Sequence, residues 1–183
     1  TEAMVSNVTL TQGYTGLFLP SFFQTWSLVT EVAFYVALPL LAPLLIRRSI
    51  KVSLILLGGT ALIAPIWIYL IKGPLAGSVP GVAISWLPGH LDWFCIGMAL
   101  AVLETALRTE AHRFAGIARR PTLLLVLAAA LYAVAMTPIT GPDRFEAPVS
   151  PGQAIARELL YGAIALLCMV AMLVPTSGAT LWG

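Results

Sequence analysis

One apolar stretch, Thr25 to Pro43, constrains the fold of this chain more than any other feature. It reads TWSLVTEVAFYVALPLLAP, which is long enough to enter a bilayer as a helix, yet it contains the carboxylate of Glu31. Placing an ionisable side chain in hydrocarbon is costly, so such residues are candidates for a functional role by default. The stretch therefore predicts a membrane helix with Glu31 as a candidate site residue.

Polar residues on this helix fall on one side of it. At 100° per residue, Gln24, Ser27, Glu31 and Tyr35 lie within one arc, whereas Trp26 points the other way. A narrow polar stripe on an apolar helix is typical of a wall that lines a cavity. Here the Glu31 carboxylate could accept a hydrogen bond from a substrate hydroxyl or orient an imidazole. The alternative is a protonated or ion-paired carboxyl that only holds helices together.

The composition favours a membrane protein. Of the 183 residues, 59% are hydrophobic and only 10% are charged, whereas soluble domains average about 25% charged. The net charge of +2 is too small to indicate nucleic acid as a partner. The two cysteines, Cys95 and Cys168, have no spacing motif, so we expect neither a disulfide nor a metal site. A phosphate-binding Gly-rich loop with Gly-Lys-Ser/Thr and a His-Glu-x-x-His motif are also lacking.

Five apolar stretches approach or exceed the length needed to cross a bilayer. They cover roughly 24–46, 52–71, 87–107, 122–136 and 154–174. We therefore predict an all-α fold: a polytopic transmembrane helix bundle of about five spans, with residues 1–183 forming one partial membrane domain. The chain does not begin with Met and opens on a polar segment without a signal peptide, so we expect a fragment of a larger bundle.

Basic residues predict the orientation. The loops after the first and third spans hold seven of them: Arg47, Arg48, Lys51, Arg108, Arg113, Arg119 and Arg120. The opposite side holds three: Lys72, Arg144 and Arg157. Because basic loops tend to stay in the cytoplasm, we expect the N-terminus outside and the C-terminus inside a cell (inner or plasma) membrane. Glu31 would then lie about 10 Å below the outer entry of its helix, in a vestibule shared with His90 and Asp92.

Two segments carry a family resemblance. The residues of the first are Trp26-Ser27-Leu28, Glu31, Phe34-Tyr35 and Pro39. Those of the second are Leu87-Pro88-Gly89-His90-Leu91-Asp92-Trp93-Phe94, Gly97-Met98 and Ala101. The first resembles the W-S-L-x-x-E-x-x-F-Y-x-x-x-P signature of the acyltransferase-3 family of integral-membrane O-acyltransferases. The second resembles the downstream L-P-x-H-L-D-x-F-x-x-G-M-x-x-A helix of that family.

The resemblance implies an acyltransferase that transfers groups other than amino-acyl groups. It would move an acyl group, often acetyl, from acyl-CoA to a hydroxyl of a glycan or lipid-linked acceptor. Acyl-CoA would be a donor substrate, with no bound cofactor and no metal. The partners would be the lipid bilayer and N- and C-terminal helices of the same family domain. Glu31 and His90 would be catalytic, and the substrate-binding residues would be Trp26, Ser27, Tyr35 and Asp92.

Each of the two second-segment residues has an alternative reading. His90 is either the base or a residue of the vestibule, because the family's catalytic histidine lies in an Arg-x10-His arrangement that this chain lacks. We therefore expect residues 1–183 to be inactive alone. Asp92 lies about 200° around the helix from His90, so the two need not form a dyad. An acid in a first helical turn also complements the helix dipole.

Two other functions fit the same pattern. The first is a membrane transporter or flippase subunit, with Glu31 in the path of the substrate or of protons, because kinked helices and a buried carboxylate suit that role equally well. The second is a non-catalytic scaffold that packs against other membrane proteins.

Overall fold

A computed structural model describes residues 2–45, 48–109, 120–142 and 148–173. The α-helices are α1 (Glu2–Val8), α2 (Gln12–Thr15), α3 (Trp26–Leu45), α4 (Ile50–Ala61), α5 (Ile63–Lys72), α6 (Leu91–Thr109), α7 (Pro121–Ala135) and α8 (Pro151–Leu173). Short 3-10 helices cover Pro20–Thr25, Gly81–Ser85, Leu87–His90 and Pro138–Thr140. No strand is formed in these described ranges, which confirms the predicted all-α class.

Three helical stretches of the described residues are long and apolar enough to cross a membrane: Trp26–Pro43, Ile50–Lys72 and Pro151–Met172. They lie within or overlap the first, second and fifth predicted spans. The fourth corresponds to α7, an apolar helix that is shorter than these three. The third corresponds to the 3-10 helix Leu87–His90 followed by α6, and α6 carries Asp92 and Glu104. The number of membrane crossings therefore stays a prediction.

The sequence specifies where several helices begin. The Ser49 side chain accepts a hydrogen bond from the Val52 N–H and caps α4. At the start of α8 the Ser150 hydroxyl accepts from the Gln153 N–H, and Gln153 Oε1 accepts from the Ser150 N–H. This reciprocal pair is a capping box, which satisfies two N–H groups that a helix start leaves free. Pro121, at the first position of α7, has no N–H to satisfy.

The second predicted span consists of two helices, because α4 ends at Ala61 and α5 begins at Ile63. Pro65 gives the physical reason: it has no N–H, and its ring clashes with the carbonyl four residues earlier in a continuous helix. Pro39 and Pro43, in contrast, both lie inside α3.

The segment that leads into α6 is held by hydrogen bonds from separate parts of the chain. Thr30 of α3 donates to the Ser85 carbonyl, and the indole of Trp67 in α5 donates to the Ala83 carbonyl. The Trp86 indole donates to the carbonyl of Gly13, 2.6 Å away. These bonds fix the backbone just before His90. Around it, α6 packs against α4, and α8 packs against α5, α6 and α7.

Some predicted features lie outside the described residues. These are the last residue of the first predicted span (Ile46), Arg47, residues 110–119 of the basic loop, residues 143–147 and the last residue of the fifth predicted span.

The tight packing of the segment that leads into α6 can be tested by substitution at Gly89. A Cβ at Gly89 would lie 2.6 Å from the backbone oxygen of Ile84, which cannot move without breaking the turn. We expect Gly89→Ala to lower the free energy of unfolding by about 1–3 kcal/mol, as overpacking does. Gly81→Ala is the matched control, since a Cβ there meets nothing within 4 Å. Denaturant titration in mixed micelles measures both, and equal stability of the two variants would contradict the packing described here.

Candidate active site

A buried polar contact joins the side chains of His90 and Glu158. His90 Nδ1 lies 2.7 Å from Glu158 Oε1. His90 is only 3% exposed and Glu158 only 6%. His90 ends the 3-10 helix before α6, and Glu158 lies in the third turn of α8, 68 residues further along the chain. The fold therefore brings together two ionisable groups that are far apart in sequence.

Two tryptophans surround the imidazole. The ring centroid of Trp93 lies 4.9 Å from that of His90, and the centroid of Trp26 lies 5.5 Å from it. The Trp93 indole also donates a hydrogen bond of 3.2 Å to the backbone carbonyl of Glu158. One turn later on α8, a Cβ at Gly162 would lie 3.2 Å from the Trp93 ring. Glycine at that position lets α8 approach closely enough for Glu158 to reach His90.

Several buried polar atoms of this cluster have no hydrogen-bond partner among the described residues. They are His90 Nε2 and both carboxylate oxygens of Asp92. Asp92 is 5% exposed and lies close enough to Glu158 and His90 to interact with them electrostatically. No hydrogen bond joins Asp92 to His90 among the described residues. We name His90, Asp92 and Glu158 the buried polar cluster.

The structure places Glu31 on another surface. The Tyr35 hydroxyl donates a hydrogen bond of 2.8 Å to Glu31 Oε1 within α3, and Tyr35 is 58% exposed. The exposed Ser27 hydroxyl donates to the backbone carbonyl of Gln24 rather than to Glu31. Trp26 lies on the opposite side of α3 and contacts His90, so the polar stripe and the buried polar cluster are separated by the helix. No contact between Glu31 and His90 is formed in this part of the chain, and their shared vestibule stays a prediction.

A groove of about 340 Å³ runs between α6 and α8. It is lined by Gly97, Leu100, Ala101, Glu104, Met169 and Met172. It contains none of the predicted site residues. No group of three or more His, Cys, Asp or Glu side chains within the described ranges is arranged to hold a metal ion.

Glu158 was missed in the sequence. The rule that singled out Glu31, a carboxylate within an apolar span, applies equally to Glu158, which lies inside the fifth predicted span. Its pairing with His90 had no signal in the sequence, because the contact is not local.

The contact between His90 and Glu158 could prepare the imidazole to accept a proton. An ionised carboxylate only accepts hydrogen bonds, so with Glu158 ionised the proton of a neutral His90 lies on Nδ1. The lone pair of Nε2 is then available to take a proton from a substrate. A histidine oriented in this way by a carboxylate is a general base of the kind that activates hydroxyl groups.

Nearly the whole chain is similar to a known protein family. Residues 3–181 match the sequence model of the acyltransferase-3 family, described as "Acyltransferase domain". The chain belongs to this acyltransferase family. Together with the three helices of the described residues that are long and apolar enough to cross a bilayer, this indicates a membrane protein. No curated protein and no solved structure matches the chain.

Proposed function

We propose that this protein transfers an acyl group from acyl-CoA to a hydroxyl of its acceptor, with His90 as the general base. The observation that carries the proposal is the 2.7 Å contact between His90 Nδ1 and Glu158 Oε1. The Nε2 atom of the same ring has no hydrogen-bond partner in the part of the chain that the structure describes. Membership of an acyltransferase family supports the type of reaction. The acyl-CoA donor and the glycan or lipid-linked acceptor follow from the family resemblance alone.

The reaction needs one proton carrier. His90 Nε2 takes the proton of the acceptor hydroxyl as its oxygen attacks the thioester carbonyl carbon. A carbon–oxygen bond forms, the carbon–sulfur bond breaks, and the leaving thiolate of CoA receives the proton back from the imidazolium. The products are an ester and free CoA thiol, and the base is regenerated.

The neighbours of His90 have distinct roles in this scheme. Glu158 is a positioning residue, which fixes the ring and stabilises the imidazolium by its negative charge. Trp26 and Trp93 cover the ring and exclude water, which would otherwise hydrolyse the thioester. Since His90 is 3% exposed, the acceptor reaches Nε2 only when the side chains around it move apart.

Glu31 stays a proposed catalytic group, and Ser27 and Tyr35 stay proposed substrate-binding residues, on the resemblance of their segment. The hydrogen bond from Tyr35 supports a polar site on that side of α3. Glu31 would act there on a part of the substrate that does not reach His90.

We also propose the orientation derived from the basic loops, with the buried polar cluster near the outer face. It predicts that a cysteine at exposed Ser78, in the loop after α5, reacts with a membrane-impermeant maleimide from outside intact cells. A cysteine at exposed Ser49, before α4, should react only after the membrane is opened. Labelling of the parent protein gives the background from native Cys95 and Cys168. Labelling at position 49 but not at position 78 from outside intact cells would overturn the proposed orientation.

The base assignment is tested by substitution. In membranes that contain the protein, we expect His90→Ala to lower kcat for transfer from acetyl-CoA by about 10²–10⁴-fold, because the proton has no acceptor. Added imidazole should restore part of the rate, since it fits the space that the side chain leaves. Glu158→Gln keeps the size of the side chain but removes its charge, and it should lower kcat more than it changes KM.

Glu31→Gln is the comparison variant, on the opposite side of α3. Because Glu31 stays a proposed catalytic group, Glu31→Gln should also lose transfer while it still inserts normally, and retained transfer would leave Glu31 with a packing role only. Full transfer by His90→Ala in correctly inserted protein would contradict the role of His90. Movement of an acceptor across the bilayer without ester formation would instead favour the transporter. The same assay on residues 1–183 alone distinguishes this proposal from the expectation that they are inactive: transfer would favour His90 as the base, whereas no transfer would favour a base in an Arg-x10-His arrangement.

A further inference from the structure

Asp92 is a buried charged group that the reaction scheme leaves unused. Both of its carboxylate oxygens lack a hydrogen-bond partner among the described residues, at 5% exposure. Buried carboxylates in folded proteins are almost always hydrogen-bonded or paired, because water no longer stabilises them. The backbone N–H groups of Asp92 and Trp93 stabilise the negative charge of the carboxylate, but they offset only part of the free energy of its desolvation. The Asp92 carboxylate is therefore open to a partner from outside the described residues.

The surroundings of Asp92 rule out the simplest internal partners. Glu158 of α8 repels it. Arg157, next to Glu158 in sequence, donates hydrogen bonds from Nη2 to the carbonyls of Thr140 and Pro142, each 2.7 Å away. His90 uses Nδ1 for Glu158 and forms no hydrogen bond with Asp92. A metal ion is not favoured, because no set of three ligands is present within the described ranges.

The atoms without a partner among the described residues offer two hydrogen-bond acceptors within the buried polar cluster. His90 Nε2 is where the reacting hydroxyl donates its proton in the proposed reaction. The Asp92 oxygens, on a residue only two positions further along the chain, offer a second acceptor of hydrogen bonds. A molecule with two neighbouring donor groups would fit both positions, whereas a molecule with a single hydroxyl would leave the Asp92 carboxylate unpaired.

We propose that Asp92 selects the acceptor by accepting a hydrogen bond from a second hydroxyl or amino group next to the hydroxyl that is acylated. This inference rests on the proposed function, since it places the reacting hydroxyl at His90. A site built around a buried polar group discriminates strongly against a ligand that lacks the matching group, because the protein atom is then left unpaired.

Two probes that differ by one hydroxyl test the selection. With acetyl-CoA as donor, kcat/KM for trans-1,2-cyclohexanediol should exceed that for cyclohexanol by about 100-fold or more. Asp92→Val should lower this ratio to about two, the value expected when the two hydroxyls of the diol react independently. Asp92→Asn keeps one acceptor oxygen and should give an intermediate ratio. Glu104→Gln, on the same helix but away from the cluster, is the control and should leave the ratio unchanged. An unchanged ratio in Asp92→Val would overturn the proposal.

A second measurement does not depend on turnover. The diol should raise the melting temperature of the parent protein more than that of Asp92→Val, whereas cyclohexanol should affect both equally. Without any ligand, Asp92→Val should melt at a higher temperature than the parent, because an unpaired buried charge has been removed. A lower melting temperature together with equal stabilisation by the diol would assign Asp92 to the helix dipole alone and overturn its binding role.

The outcomes separate this inference from the proposed base. If His90→Ala retains transfer while Asp92→Val loses the preference for the diol, the base is wrong and the acceptor selection stands. If His90→Ala loses transfer and Asp92→Val keeps the preference, the base stands and the selection is wrong.

Discussion

The hydrogen bond between His90 and Glu158 is the contact on which the rest of the structure depends. In an apolar interior neither group would be tolerated alone, since the free energy of desolvating an unpaired polar group is unfavourable by about 1–3 kcal/mol or more. Each is the partner of the other, at 2.7 Å. The close approach of α8 to Trp93 at Gly162 and the restrained turn before His90 both serve to hold this contact.

Among the described residues, the same packing leaves His90 Nε2 and the Asp92 carboxylate without partners. Apolar residues of similar size would be more stable there. Such unpaired groups suit the proposed reaction site, because groups that bind a substrate must be unpaired before it arrives. The stability of the protein and its proposed chemistry therefore oppose each other at Asp92.

Local features were predictable from the sequence, and tertiary contacts were not. The apolar stretches correctly predicted the helical class, and the period of 3.6 residues placed Trp26 opposite the stripe with Glu31 and Tyr35. The break at Leu62 follows from Pro65, yet hydropathy alone merges the two helices into one span. The partner of His90 could not be predicted, because it depends on how α8 packs against α6. A carboxylate within the fifth span was the one available clue.

The protonation state of His90 tests the account most directly. The chain has only one other histidine, His112, so the His112→Gln variant has a single imidazole for nitrogen-15 NMR in bilayers. We predict one tautomer with the proton on Nδ1, hydrogen-bonded to a carboxylate, and loss of that hydrogen bond in Glu158→Leu. A ring protonated on Nε2, or a spectrum that Glu158→Leu leaves unchanged, would contradict the paired base.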